Sequence, residues 1–573
     1  MKKITQFLVL SFIIIFSAGT LKSQYYIDAF KIGSSQYDQA SCCIEDSQGN
    51  IILSGNYEGT ADFDPGSGEA LLTGGNSYSG FIAKYEKDLS YIWAVSINGT
   101  DQINGMKIGV DATGNIYFAG YFRGLADFDP SVGEYLLEAE EMDGFLAKYD
   151  PDGNFVWAFK ISSPESDIAF DVGLDNEGNI WVSGTFTAPI DFDPSENTFI
   201  LNDHGFMDAF VANYSPDGSF IWAAGIGGES SLFYQPAITF DNAGSLYLSS
   251  QFSNQADLDP GTGTYIVESN GSSDMYLLKL DQDRNFEWGF SMGGEMQDQT
   301  RDVYFSNEHI LITGFYESTM DFDPSSGEAI LTSDGDYDAF IAAYGIDGAY
   351  SWVQPIVGTG YAEGLALAAD DEHNVYVTGS FHGTSDFDPS SASFELTPQG
   401  AWDIFTAKYD ESGNFLWANH AGGNENDYGQ HIIIDDMQEK VMICGKFKGH
   451  AEFDFIGSGH LLSASGSFDV FLAAYTTREG AGVQDGNISI NNIKIQPNPF
   501  NTSTTIEYTI QQPETVQLSV FNQLGQLVYQ HSEDQQQGTQ QLQWDAQDQS
   551  EGLYNYQLHA GDQVATGKLV KMR

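Results

Sequence analysis

Asp62-Phe63-Asp64-Pro65 recurs as Asp127-Phe128-Asp129-Pro130, Asp191-Phe192-Asp193-Pro194, Asp257-Leu258-Asp259-Pro260, Asp321-Phe322-Asp323-Pro324 and Asp386-Phe387-Asp388-Pro389, with a degenerate seventh copy at Glu452-Phe453-Asp454-Phe455. The copies start at 62, 127, 191, 257, 321, 386 and 452, so they advance by 65, 64, 66, 64, 65 and 66 residues. A fixed period marks an array of like units, none of which can bury its apolar face alone. Seven units span most of the 573 residues, leaving one repeat body and a smaller tail.

Within a unit, four apolar runs rich in β-branched and aromatic residues alternate or nearly alternate, which is the strand signal. In the second unit they are Met106 to Val110, Asn115 to Gly120, Asp143 to Tyr149 and Phe155 to Ile161. Asp111 to Asn115 and Asp150 to Asn154 put Asp, Gly and Asn where tight turns need them, and similar joins recur at Asp46 to Asn50, Asp175 to Asn179, Asp241 to Ser245 and Asp410 to Asn414. Four antiparallel strands repeated seven times, with no helical period between them, predict an all-β seven-bladed propeller rather than a sandwich or a β-helix.

The ends of the array predict a closed ring. The third strand occurs seven times, at Phe81, Phe145, Phe210, Met275, Phe340, Phe405 and Phe471, but the Trp of the fourth occurs only six times, at Trp93, Trp157, Trp222, Trp288, Trp352 and Trp417. The missing strand is found at Tyr25 to Ile32, which matches Phe155 to Ile161 with Asp28 in the Trp place. An N-terminal strand completing the last blade removes an exposed edge. The expected segments are a leader over 1–23, the propeller over 24–476, a linker over 477–492 and a small β-sandwich over 493–573.

The chain holds 22 Lys plus Arg against 81 Asp plus Glu, a formal charge of -59. Such a field repels nucleic acid and anionic membrane surfaces and leaves cations, neutral glycans and basic proteins as partners. The 41% hydrophobic content, with 40 Phe and 30 Tyr, is ample for a packed core. Met1-Lys2-Lys3, the apolar Phe7 to Phe16 and Ser17-Ala18-Gly19 have the three regions of a secretory signal peptide, with an apolar run too short to span a bilayer. Cys42, Cys43 and Cys444 show no zinc-like or redox-like spacing. They read as buried strand residues, with a bridge from Cys444 to Cys42 or Cys43 as the alternative.

Both short turns of each blade should fall on one face, and the long connection with its Asp pair on the other, together with the between-blade Asp38, Asp101, Asp167, Glu229, Asp298, Glu363 and Asp427. Loops of that kind carry function. Asp62 and Asp64 would lie roughly 7 Å apart on one side of a strand, and the same holds for Asp127 and Asp129, Asp191 and Asp193, Asp257 and Asp259, Asp321 and Asp323, and Asp386 and Asp388. Two readings account for these pairs. One is a turn in which the carboxylate accepts a backbone N–H and Pro presets the bend. The other is Ca²⁺, whose oxygen ligands begin with an Asp-x-Asp spacing, although Thr73 stands where a calcium loop has its bidentate acid.

The repeated Trp and the Phe-x-Ala-x-Tyr set read as packing between blades, with a sugar-stacking role open to Trp402 or Tyr428. His373, His382, His420, His431, His450 and His460 crowd into the last two units without a metal-ligand spacing and read as scattered surface residues. No catalytic constellation stands out, because paired acids occur throughout.

Asp208 to Tyr214, its Asp-Gly turn and Asn179 to Gly184 resemble the seven-bladed repeat of secreted bacterial propellers over about residues 25 to 476, which implies a fold and export but no activity. The tail carries Pro497-Asn498-Pro499-Phe500, Val516 to Val528 around Gly525, Gly552-Leu553-Tyr554 and Gly567-Lys568. In that order these resemble the C-terminal sorting domain of the type IX secretion system. The resemblance implies outer-membrane secretion machinery as a partner and a location at the cell surface or outside the cell. The expectation is a binding module for a glycan or a protein; the competing readings are a polysaccharide lyase or hydrolase using acids around the central opening, and a structural envelope component.

Overall fold

The computed structural model describes residues 26–573 apart from 76, 229–232, 436–438, 455–459, 477–489, 499, 511–512, 522–526, 548, 551, 561–562 and 573. The leader read at 1–23, most of the linker, Glu229, Pro499 and Gly525 lie outside the described residues. The chain divides into two compact units, at residues 479 and 480.

In the first unit every repeat forms a four-stranded antiparallel blade, the first from Asp38–Glu45, Ile51–Tyr57, Ser79–Tyr85 and Tyr91–Gly99. The second blade is Ile103–Val110, Ile116–Phe122, Asp143–Tyr149 and Phe155–Ile161, within a few residues of the runs read from the sequence. The innermost strands of the remaining blades are Ile168–Leu174, Phe233–Phe240, Asp298–Ser306, Ala362–Ala369 and Asp427–Asp435. Each packs against the next, and the seventh packs against the first.

The last blade takes its outer strand from the N-terminus: Tyr26–Ile32 pairs antiparallel with Asp469–Thr476, with Asp28 opposite Ala474 and Ile32 opposite Val470. Asp28 thus holds the place that Trp157 holds opposite Lys148 in the second blade. Phe30 and Ile32 are buried there, so the strand contributes core as well as pairing.

The Asp-Phe-Asp-Pro stretch sits at the tip of a short hairpin, Leu125–Asp127 against Leu136–Glu138 in the second repeat, that reaches the preceding blade. Ala126 and Asp127 extend the outer strand of the first blade at Gly99 and Asn98, and Asp386 and Glu452 make the same crossing at Val357 and Gly422. The central Phe fills the wedge between blades: Phe128 shares a core with Ile82 and Ile97 of the first blade. Burying such a ring stabilises by about 1.5–3 kcal/mol.

The repeated Trp also crosses between blades. Trp93, Trp288 and Trp352 donate their indole N–H to the carbonyls of Pro151, Ile346 and Glu411 in the next blade's outer turn. That turn needs glycine twice over, since Gly153 has φ +81° and a Cβ there would stand 3.0 Å from the Trp93 ring.

The second unit is a two-sheet sandwich. One sheet holds Ile490–Gln496, Ser503–Ile510 and Gly538–Asp545, the other Leu527–Gln535, Glu514–Phe521, Gly552–Ala560 and Gln563–Lys571. Ile490–Gln496 begins inside the stretch read as linker. Phe500, Trp544 and Tyr554 form its aromatic centre, with ring centroids 5.5 and 5.0 Å apart, and the Tyr554 hydroxyl donates to the Ser550 carbonyl. Pro497 and Asn498 are exposed, while Gly567 and Lys568 pair with Tyr556 and Asn555.

Candidate binding site in the central channel

Each innermost strand carries a β-bulge, at the steps Ala40/Cys42, Gly105/Lys107, Ala169/Asp171, Tyr234/Ala237, Thr300/Asp302, Gly364/Ala366 and Gly429/His431. A bulge re-aims the side chains beside it. Here it helps set two cavities on the axis, of about 410 and 390 Å³, each lined by all seven strands and sharing Lys107 and Asp171.

At the shared waist the Lys107 ammonium lies 3.1 Å from His431 Nε2 and 3.7 Å from Asp302 Oδ1. The Ile238 amide donates to Asp171 and the Leu367 amide to Asp302, so both carboxylates are held in place by backbone. Burial opposes the charge on Lys107, yet Asp302 and Asp171 outweigh it and hold the amine above its ordinary range. His431 is pushed well below its ordinary value by burial and by Lys107, so the ring is neutral and accepts from the ammonium through Nε2.

The larger cavity opens above the waist among Gln39, Gln235, Arg301, Glu363, Gln430 and Lys446. Arg301 joins the Glu363 carboxylate and the Gln235 side-chain carbonyl. Lys446 donates to the Tyr37 hydroxyl at 2.7 Å and Gln39 at 3.0 Å, beneath the rings of Tyr37, Tyr428 and Phe468 at 5.1–5.4 Å. Burial pushes its pKa down to about 8.

Half-buried aromatic rings continue outward from this cage. Phe468 meets Tyr428 at 6.1 Å, Tyr428 stacks on Trp402 at 6.1 Å, Trp402 stacks on Tyr361 at 5.8 Å, and Tyr361 meets Tyr337 at 4.7 Å. Backbone bonds between blades fix their spacing: the Asp427 amide donates to the Trp402 carbonyl, Ala362 to Tyr337 and Asp38 to Phe468. At the position of Phe468, Trp402 and Tyr337 the first blade has Tyr78, whereas the second, third and fourth have Met142, Met207 and Ser273.

The residues singled out in the sequence are distributed differently from the expectation. In each of the six full Asp pairs, Oδ1 of the first Asp accepts the amides two and eight residues on, as Asp62 does from Asp64 and Ala70. Oδ1 of the second Asp accepts the amide two residues further, as Asp64 does from Gly66. These bonds account for the spacing by the turn reading. None of the twelve carboxylates lines either channel cavity. The acids there are Glu363, Asp171, Asp302 and Glu45.

The acidity of the loop face also needs correction. Asp38, Asp167, Asp298 and Asp427 are fully buried, and each accepts amides from the loops on both sides, as Asp298 does from Gly294 and Glu317. Burial pushes Asp38 up to about 6 and Asp167, Asp298 and Asp427 up to about 7. Asp338 and Asp403, which begin third strands, are raised to about 6 for the same reason. His431 stands in the channel waist rather than on the surface, and Trp402 and Tyr428 stand together at the mouth.

Lys107, Asp171, Arg301, Asp302 and Lys446 escaped the sequence reading. The bulge positions 42, 107, 171, 237, 302, 366 and 431 keep the repeat period, so aligning the units would have set Lys, Asp, Asp and His against Cys and Ala.

A model of the secretion system C-terminal sorting domain matches residues 494–572. The tail is a C-terminal sorting domain. It directs the protein through the type IX system to the cell surface or the extracellular space. The chain is similar to an uncharacterised WD repeat-containing protein of Acanthamoeba polyphaga mimivirus, 23% identical over a 436-residue alignment that covers 63% of this chain and 31% of that protein. The chain thus spans about a third of that relative's length. Among solved structures, a protein of unknown function from Dyadobacter fermentans aligns over 65% of this chain and 93% of its own, at 11% identity and a TM-score of 0.33. Dimeric latent PorU of Porphyromonas gingivalis aligns over 73% and 36%, at 10% identity and a TM-score of 0.13. No helix among the described residues is long and apolar enough to cross a membrane.

Proposed function

We propose that the exported propeller is a non-catalytic glycan-binding module whose ligand lies across the aromatic belt and dips into the cavity beneath it. The carrying observation is the stack of Tyr428, Trp402 and Tyr361 over a cavity lined by Gln39, Gln235, Gln430, Arg301 and Glu363. Flat apolar faces beside amide, carboxylate and guanidinium groups suit a sugar, whose C–H faces stack and whose hydroxyls both donate and accept. A glycan array with the intact protein and with Trp402→Ala and Tyr428→Ala tests it. The variants should lose about 2 kcal/mol, roughly 30-fold in affinity, with unchanged melting; equal binding by all three rejects the reading.

Glu363 joined to Arg301 in the same cavity favours one competing reading, a polysaccharide lyase or hydrolase. Shortening of a bound polysaccharide that disappears in Glu363→Gln would establish it over the binding module. Calcium is proposed only as a structural ion of the Asp-pair hairpins, held by carboxylate oxygens that the backbone leaves unused. Titration calorimetry after chelation decides this: no heat and no shift in melting remove the ion.

A further inference from the structure

We propose that Cys43 and Cys444 are joined by a disulfide in the exported protein, locking the first blade to the seventh at the seam where the ring closes, with Cys42 left as a free thiol. The three cysteines are separated by packing. Cys42 belongs to the core between the first and second blades, whereas Cys43 and Cys444 share the core between the seventh and the first, and all three are buried.

His431 fixes how Cys43 and Cys444 face each other. It stands opposite Cys444 in the register of the two inner strands of the seventh blade, and directly opposed residues of an antiparallel pair project from the same side. Its Nδ1 in turn lies 3.9 Å from Cys43 Sγ. The His431 and Cys444 side chains therefore leave the seventh blade together, toward Cys43 of the first.

The sorting domain supplies the setting, since a protein exported across an outer membrane passes through an oxidising compartment. The step is exchange with a disulfide-form oxidoreductase. One Cys thiolate attacks the oxidant's disulfide to form a mixed disulfide and release an oxidant thiolate. The second Cys thiolate then displaces the oxidant. The Cys43–Cys444 bond forms, two protons leave the pair, and two electrons reduce the oxidant to its dithiol. Both sulfurs are inaccessible in the closed ring, so exchange precedes or accompanies closure.

The test is a thiol count on full-length or processed protein recovered outside cells of an exporting strain. The protein is unfolded in denaturant with an alkylating reagent and no reductant, and its intact mass is measured. One adduct, located on Cys42, is expected, rising to three after reduction. Cys42→Ser should give no adduct without reductant and two after it. Three adducts before reduction, a bridge using Cys42, or any other count overturns the proposal, and the count does not depend on whether a variant folds.

Discussion

The Tyr149 hydroxyl donates to the Phe128 carbonyl at 2.9 Å, joining the end of a third strand to the tip of its own repeat's wedge hairpin. The same bond links Tyr85 to Phe63, Tyr214 to Phe192, Tyr344 to Phe322, Tyr409 to Phe387 and Tyr475 to Phe453. In the fourth repeat both partners change together, to Leu280 and Leu258, and both are buried. Tyr149→Phe removes a buried donor and leaves the Phe128 carbonyl without it, which should destabilise the protein by about 1–2 kcal/mol. Thermal unfolding measures this, and an unchanged midpoint would show that the clamp carries no net stability.

Deleting Tyr26–Ile32 leaves Asp469–Thr476 paired only with Lys440–Phe447, frees its outer edge and removes Phe30 and Ile32 from the core. An unpaired strand edge templates association. The truncated protein should melt several degrees lower and form oligomers. Calorimetry and light scattering check this, and melting identical to the full chain contradicts the role assigned to the strand.

The buried Asp set makes stability depend on pH in a defined direction. Asp38, Asp338 and Asp403 are raised to about 6, and Asp167, Asp298 and Asp427 to about 7, each first by burial. A carboxyl that holds its proton more tightly when folded stabilises the fold fully below its unfolded pKa and loses that contribution as pH rises through the folded value. The melting temperature should therefore be higher at pH 5 than at pH 8. Relief of the -59 charge acts the same way, so the scan is run in high salt, which screens surface repulsion but not burial. Asp298→Asn should flatten the slope.

Lys107 is the cation facing Asp302 and Asp171 at the channel waist. Lys107→Met leaves these carboxylates without it and should cost about 3–5 kcal/mol. Adding Asp302→Asn should return part of that loss, and the coupling read from the double-mutant cycle should exceed 0.5 kcal/mol, roughly the additivity limit for independent sites. Additive effects would mean that the pair is independent.

The blades were legible because each strand repeats a pattern and errors in one unit are corrected by six others. Closure was legible from a missing Trp and its counterpart near Asp28. The wedge hairpin was not, since Leu125–Asp127 is too short for a periodicity signal and its second partner, at Asn98 and Gly99, lies in the preceding blade. The channel was hidden for a different reason: Lys107, Asp302 and His431 lie in separate repeats and meet only on the axis. Asp38 and Asp427 were misjudged as surface acids because nothing local distinguishes a carboxylate that will bind buried amides from one left in water.

Tyr26 finds its partner in Tyr475, almost the full length of the propeller away. Contacts this distant in sequence form slowly. The first six blades can assemble from consecutive residues as the chain becomes available, but the seventh waits for both extremities. A chain cut short anywhere before its last repeat therefore lacks the strand that Tyr26–Ile32 pairs with and stays unsealed, however sound its other blades are.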